Sequence, residues 1–149
     1  MAKVVVLCVG NEDKGDDSAG PYIAKNLRSN DGRYVIDAGY SPENYTSVIK
    51  KIKPDTLIII DAADMGLKPG SVRVIPLDKI KDTVNISTHS ISLSLLLTYL
   101  REYVNISNII FIGIQPLKLT GSMSEIVKEN CDRLIGIIEE KKIEEIKKL

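Results

Sequence analysis

The stretch Val4-Val5-Val6-Leu7-Cys8-Val9-Gly10-Asn11-Glu12-Asp13-Lys14-Gly15-Asp16-Asp17-Ser18-Ala19-Gly20 reads as a buried strand, a glycine-bearing loop and the start of a helix. An apolar run without alternation, Val4 to Val9, suits a strand covered on both faces. Ala19, Ile23 and Leu27 then recur every four residues, which is a helical period. Such a strand followed at once by a helix is the opening of a βαβ unit, and it predicts a parallel sheet with helices packed on both sides.

The rest of the chain repeats this alternation. Tyr34-Val35-Ile36 is a short strand. Ser41-Pro42-Glu43-Asn44 looks like a helix start, with Ser41 as N-cap and proline at the first helical position. Tyr45, Val48, Ile49 and Ile52 follow at i, i+3, i+4, i+7. Thr56 to Ile60 is β-branched and apolar, a third strand. Ser71-Val72-Arg73-Val74-Ile75 alternates, which predicts an edge strand. Leu93, Leu96, Leu97 and Leu100 mark a helix, and Asn108 to Ile114 a further buried strand. The remainder reads as one long helix, with Ile135, Ile138, Ile146 and Leu149 on one face and lysine–glutamate pairs on the other. The expected fold is an α/β three-layer sandwich: a doubly wound, mostly parallel, five-stranded sheet with helices on both faces. With 149 residues and no internal repeat or linker, residues 1–149 are expected to form one domain around one core.

Bulk properties narrow the function. Apolar residues make up 44% and charged residues 27% of the chain, enough to fold rather than stay disordered. The formal net charge is zero and no basic patch is interleaved with aromatics, so nucleic acid is not an expected partner. Leu57 to Ile60 and Leu95 to Leu97 are too short to span a bilayer. The N-terminus lacks the layout of a signal peptide. The expectation is a cytoplasmic protein away from membranes, and a monomer. Cys8 lies inside an apolar run and Cys131 in a C-terminal helix, so neither a disulfide framework nor a zinc knuckle is expected.

In doubly wound sheets, ligands bind beyond the carboxyl ends of the strands. Acidic residues gather there: Asp16 and Asp17 after strand one, Asp37 at the end of strand two, Asp61 and Asp64 at the end of strand three. Gly10 and Gly15 have the spacing that opens a phosphate loop. Asp16 and Asp17 stand where its Lys and Ser/Thr belong, and two carboxylates would repel phosphate. The loop is therefore suited to a cation or a proton. Helix capping is a plain alternative for Asp16, and less so for Asp17. Asp61 directly follows a buried strand, where an unpaired charge is costly. Asp37 can equally be a turn former before Gly39, and Asp64 a solvated loop residue. His89 is the only histidine, within Ser87-Thr88-His89-Ser90 before a helix. It is either structural or the one imidazole available for chemistry. With Asp17 and Asp61 it would make an open site for a divalent transition ion such as nickel or zinc.

These segments resemble the hydrogenase maturation endopeptidases, most closely the type serving the formate-hydrogenlyase hydrogenase. The resemblance is carried by Cys8-Val9-Gly10-Asn11 with Gly15-Asp16-Asp17-Ser18-Ala19-Gly20-Pro21, by Val35-Ile36-Asp37-Ala38-Gly39 with Ser41-Pro42-Glu43-Asn44, by Ile60-Asp61-Ala62-Ala63-Asp64-Met65-Gly66-Leu67, by Ser87-Thr88-His89-Ser90, and by Phe111-Ile112-Gly113-Ile114-Gln115-Pro116. It implies an aspartic-type endopeptidase that removes a C-terminal extension from the large-subunit precursor of a nickel-iron hydrogenase once nickel is in place. It also implies that Asp17, Asp61 and His89 contact the metal, that nickel comes with the substrate, and that Asn11, Asp16 and Asp37 support the site. Many members carry Glu where this chain has Asp17, which keeps the ligand type and shortens its reach.

The chemical step stays open at this level. No GxSxG elbow is present and neither cysteine lies on the functional rim, so attack by water is favoured, with Asp17 or Asp61 as general base. A competing reading is a receiver-like phosphoacceptor domain with Asp61 as acceptor. Against it, the acidic pair lies a long loop away from Val9, and Gln115-Pro116 stands where a lysine would be needed. A third reading, an inactive scaffold for hydrogenase assembly, has only small size in its favour.

Overall fold

A computed structural model of the chain describes residues 2–30, 32–80 and 89–149. Five strands form one sheet: β1 (Val4–Val9), β2 (Arg33–Gly39), β3 (Thr56–Ala62), β4 (Val72–Ile75) and β5 (Asn108–Ile114). Their order is β2-β1-β3-β5-β4. All neighbouring pairs are parallel except β4 with β5. The helices are α1 (Ala19–Asn26), α2 (Thr46–Ile52), α3 (Ser90–Tyr103) and α4 (Glu125–Glu139). The expected three-layer α/β sandwich is what forms. None of the helices described is long and apolar enough to cross a membrane.

The strand alternation sorts the core into two halves. Val5, Leu7, Leu57 and Ile59 face α2 and α3, where Ile49, Leu93, Leu96 and Leu100 meet them. Val6, Cys8, Ile58, Ile60, Ile112 and Ile114 face α1 and α4, against Ile23, Val127, Cys131 and Leu134. Because β1 and β3 are apolar on both faces, they lie at the centre, and the alternating β4 lies at the edge. The chain leaves β1 toward β2, then returns past β1 to β3. The reversal puts the crevice for a ligand at the carboxyl ends of β1 and β3.

Some local expectations are corrected. Ser41 makes no side-chain cap; residues Pro42–Tyr45 form a 3-10 turn, and the α-helix begins only at Thr46. Val48 is exposed, so the buried stripe of α2 is narrower than its periodicity suggested. Strand β3 runs on to Ala62, which places Asp61 inside the strand, opposite Gly113, rather than after it.

The largest correction is at the C-terminus. The helix stops at Glu139, where Lys141 turns to φ +59° and the amides of Lys141 and Lys142 close back on the carbonyls of Ile138 and Ile137. These paired bonds satisfy the last carbonyls. After a short 3-10 turn at Ile143–Glu145, the tail runs alongside β4: the Val74 amide donates to Lys147 O at 2.8 Å and the Leu149 amide to Val74 O at 2.9 Å. Ile143 and Ile146 pack on the α1–α4 side and Leu149 on the other. A helix could not divide them so. The unpaired edge of β4 offers hydrogen bonds that outweigh the helical preference of a lysine–glutamate run.

The loop after β1 is seated backbone on backbone. A Cβ on Gly20 would stand 2.1 Å from the Val9 carbonyl oxygen, and one on Gly10 2.0 Å from that of Asp17. Only glycine permits this approach.

Candidate functional site

Asp17 comes from the 3-10 turn Gly15–Ser18 that leads into α1, Asp61 from the end of β3, and His89 from the cap position of α3. Ser87 and Thr88 lie outside the described residues. The structure brings the three side chains together at the β1–β3 crevice. One ligand atom from each lies within 4.8 Å of the others. His89 Nδ1 is 3.2 Å from Asp61 Oδ2, and His89 Nε2 is 3.4 Å from Asp17 Oδ2. The Asn11 amide donates to Asp17 Oδ2 at 2.9 Å, fixing that carboxylate from the loop side.

Both carboxylates are almost wholly withdrawn from solvent: Asp17 is 1% exposed and Asp61 0%. Their surroundings differ. Asp17 and His89 line an open cleft of about 1130 Å³ together with Asn11, Asp13 and Lys14, whereas Asp61 lies beneath, on the ring's Nδ1. Burial opposes the charged form of His89. The hydrogen bond that the ring donates to Asp61 and the charges of Asp61 and Asp17 more than offset it, so its pKa is raised above the ordinary 6.5, while Lys14 lowers it slightly.

The sign of the pH effect follows from that direction. A ring whose pKa is raised by folding stabilises the fold below its unfolded value of about 6.5, and this contribution is lost as pH rises through the higher folded value. Thermal unfolding of the metal-free protein should therefore show a stability decline across that window that His89→Ala abolishes. Protons and a divalent ion compete for the same ring. Zn²⁺ affinity, followed by calorimetry, should accordingly rise through the same window; a flat profile would mean the ring is no ligand.

The other residues marked in the sequence take different places. Asp16 is fully buried and points away from the cleft, accepting hydrogen bonds from the amides of Leu117, Lys118 and Ser124 at 2.8, 3.1 and 2.7 Å and from the Ser124 hydroxyl. It clamps the β5–α4 loop to the loop after β1. Asp37 is exposed and accepts from the Gly39 amide, closing its own turn. Asp64 is exposed, accepting from the Gly66 amide and from Gln115 Nε2. Gln115 escaped notice as a structural residue: its Oε1 accepts from the amides of Met65 and Leu67, pinning the loop after β3. Its position after a buried strand was the available signal. Ser124 and the apolar residues of the cleft gave no signal, because loop contacts of that range have no periodicity.

The two cysteines offer no nucleophile. Both are 0% exposed, and burial pushes the Cys131 thiol up to about 12 and Cys8 higher still. Asp61 is engaged with the His89 ring, and Gln115, which stands where a lysine would be needed, is occupied in its clamp. The phosphoacceptor reading is therefore not favoured.

Comparison with known proteins agrees with this arrangement. A family model described as hydrogenase maturation protease matches residues 20–141. The hydrogenase 3 maturation protease of Escherichia coli K12 is 45% identical over 114 residues, covering 75% of this chain and 72% of its own. The solution structure of the endopeptidase HycI from Escherichia coli superposes with a TM-score of 0.85 at 33% identity, covering 99% of this chain and 96% of that one. The crystal structure of a NiFe hydrogenase maturation protease HycI from Thermococcus kodakarensis gives 0.82 at 29% identity, over 95% and 92% of the two chains.

Proposed function

Because the chain belongs to the hydrogenase maturation protease family, we propose that it is the peptidase that removes the C-terminal extension of a nickel-iron hydrogenase large-subunit precursor after nickel insertion. The observation that carries the reading is the convergence of Asp17, Asp61 and His89 within 4.8 Å beside an open cleft that Asp17 and His89 line. Two carboxylates and one imidazole suit a borderline divalent ion, and three protein ligands leave positions open. The His89–carboxylate separations of 3.2 and 3.4 Å are close to those of two donors sharing one tetrahedral ion, roughly 3.3–3.6 Å for bonds of ~2.0–2.2 Å. Only one ring nitrogen can hold the ion, so His89 gives up one of its carboxylate contacts on binding.

In this proposal nickel is part of the substrate. It arrives in the precursor, and the triad recognises it there. Asp17 lines the cleft and is the general base that takes a proton from the attacking water. Asp61, beneath the ring, orients His89. This is aspartic-type chemistry in the sense that a carboxylate activates water. Asn11 holds the Asp17 carboxylate in place. The whole chain acts as one domain, as a monomer in the cytoplasm, away from membranes and nucleic acid.

The test concerns whose metal it is. Enzyme treated with chelator, freed of it, and mixed with nickel-loaded precursor should cut once at the full rate, with the product followed by the mass of the large subunit. Nickel-free precursor should stay intact even with excess enzyme. Activity that returns only after metal is given back to the enzyme would make the triad a resident catalytic metal site and end the recognition reading.

A further inference from the structure

Three large apolar side chains stand exposed on the walls of the cleft that holds the triad. Tyr40 is 63% exposed, Ile91 76% and Leu119 40%, and all three line that cleft. They come from unrelated parts of the chain: the turn after β2, the first turn of α3 and the β5–α4 loop. No local sequence pattern brings them together; the fold does. Each loop is separately braced, Tyr40 behind the Asp37–Gly39 turn and Leu119 within the segment that Asp16 clamps. Exposed apolar groups gathered on one concavity mark a binding surface, where singly scattered ones do not.

The chemistry of the cleft specifies the occupant. Asp17 and His89 share its lining with the polar Asn11, Asp13, Lys14, Ser92 and Thr120 and with the three exposed apolar side chains. At about 1130 Å³ it exceeds the ~300–1,000 Å³ of pockets that enclose a small molecule. An open trough that offers both polar groups and exposed apolar side chains suits an extended polypeptide segment, whose apolar side chains meet Tyr40, Ile91 and Leu119 and whose backbone lies over the reacting groups. Resting on the functional reading above, we propose that Tyr40, Ile91 and Leu119 form a collar that grips the precursor around the cut through apolar side chains of the precursor. The collar supplies affinity for the polypeptide, and the triad supplies discrimination for the loaded state.

The test uses nickel-loaded precursor with the full-length enzyme. Tyr40→Ser, Ile91→Ser and Leu119→Ser should each raise KM by about 3–10-fold, and the triple variant by roughly 30-fold or more, since each removes one exposed apolar contact. The change should fall in KM and in the Kd measured by surface plasmon resonance, with kcat altered by less than about threefold. Tyr103→Ser is the control: Tyr103 is 59% exposed but ends α3, about 20 Å along the helix from His89, and its KM should stay parental. Zn²⁺ affinity of the triple variant shows whether the triad is intact. A parental KM in the triple variant would overturn the collar. So would a loss of kcat together with Zn²⁺ affinity, because the substitutions would then be acting through the triad. Parental enzyme that binds precursor in a collar-dependent way without cutting it would instead overturn the proteolytic reading and leave the collar standing.

Discussion

The His89→Ala protein is expected to leave nickel-loaded precursor uncut, with a rate at least ~10³-fold below parental, on the scale seen when a group acting in the reaction itself is removed. Two losses combine. The only imidazole in the chain disappears, and with it the contact that ties Asp17 to Asp61 across 3.4 and 3.2 Å. The fold should survive, because His89 sits at the cap of α3 and not in either core half. Two buried carboxylates lose a partner, so stability should fall by about 1–3 kcal/mol, visible as a lowered Tm with an unchanged far-UV spectrum. A variant that trims precursor at the parental rate would remove His89 from the mechanism.

Asp16 and Asp17 are adjacent, yet their alanine variants should fail in opposite ways. Asp16→Ala removes a fully buried carboxylate that satisfies three backbone amides and a hydroxyl. Nothing on the solvent side can replace it, and orphaned buried donors cost about 1–3 kcal/mol each. A loss of roughly 3–5 kcal/mol is expected, a large part of the ~5–15 kcal/mol that holds a domain together. Asp16→Asn keeps one acceptor oxygen and should lie between. Asp17→Ala loses the bond from the Asn11 amide and the contact with His89 beside the open cleft, so it should cost less stability than Asp16→Ala while abolishing processing. Urea unfolding of the three variants beside the precursor assay separates the roles. Equal stability losses at both positions would dissolve the distinction between clamp and cleft residue.

Much of this was legible in the residues themselves. Strands apolar on both faces announced the parallel centre, and the alternation of Ser71 to Ile75 announced the edge. Asp61 stood out because a carboxylate is costly at the end of a buried strand, and His89 because a single histidine leaves no choice of imidazole; their grouping with Asp17 as metal contacts was what the family resemblance implied. What was hidden depends on long-range pairing. The lysine–glutamate tail reads as helix on local preference, and only the open edge of β4 draws it into an extended course. Asp16 reads as a cap because its true partners lie about a hundred positions away, in the β5–α4 loop. Nor does any spacing rule relate Tyr40, Ile91 and Leu119.

The seating of Gly20 on Val9 and of Gly10 on Asp17, at 2.1 and 2.0 Å from where a side chain would begin, bears on how such a protein can vary over time. Contact between main chains carries no memory of which apolar residues fill the layers behind it. Val6, Ile23 or Ile60 can drift among similar shapes, or be reshuffled in a combinatorial library, without moving the carboxylate that follows the turn. The two glycines cannot be traded for anything larger. Lineages would thus diverge freely in the interior while these two small residues stay put. An engineer seeking a sturdier variant has the same map: randomise the layers, and leave the hinge between strand and helix untouched.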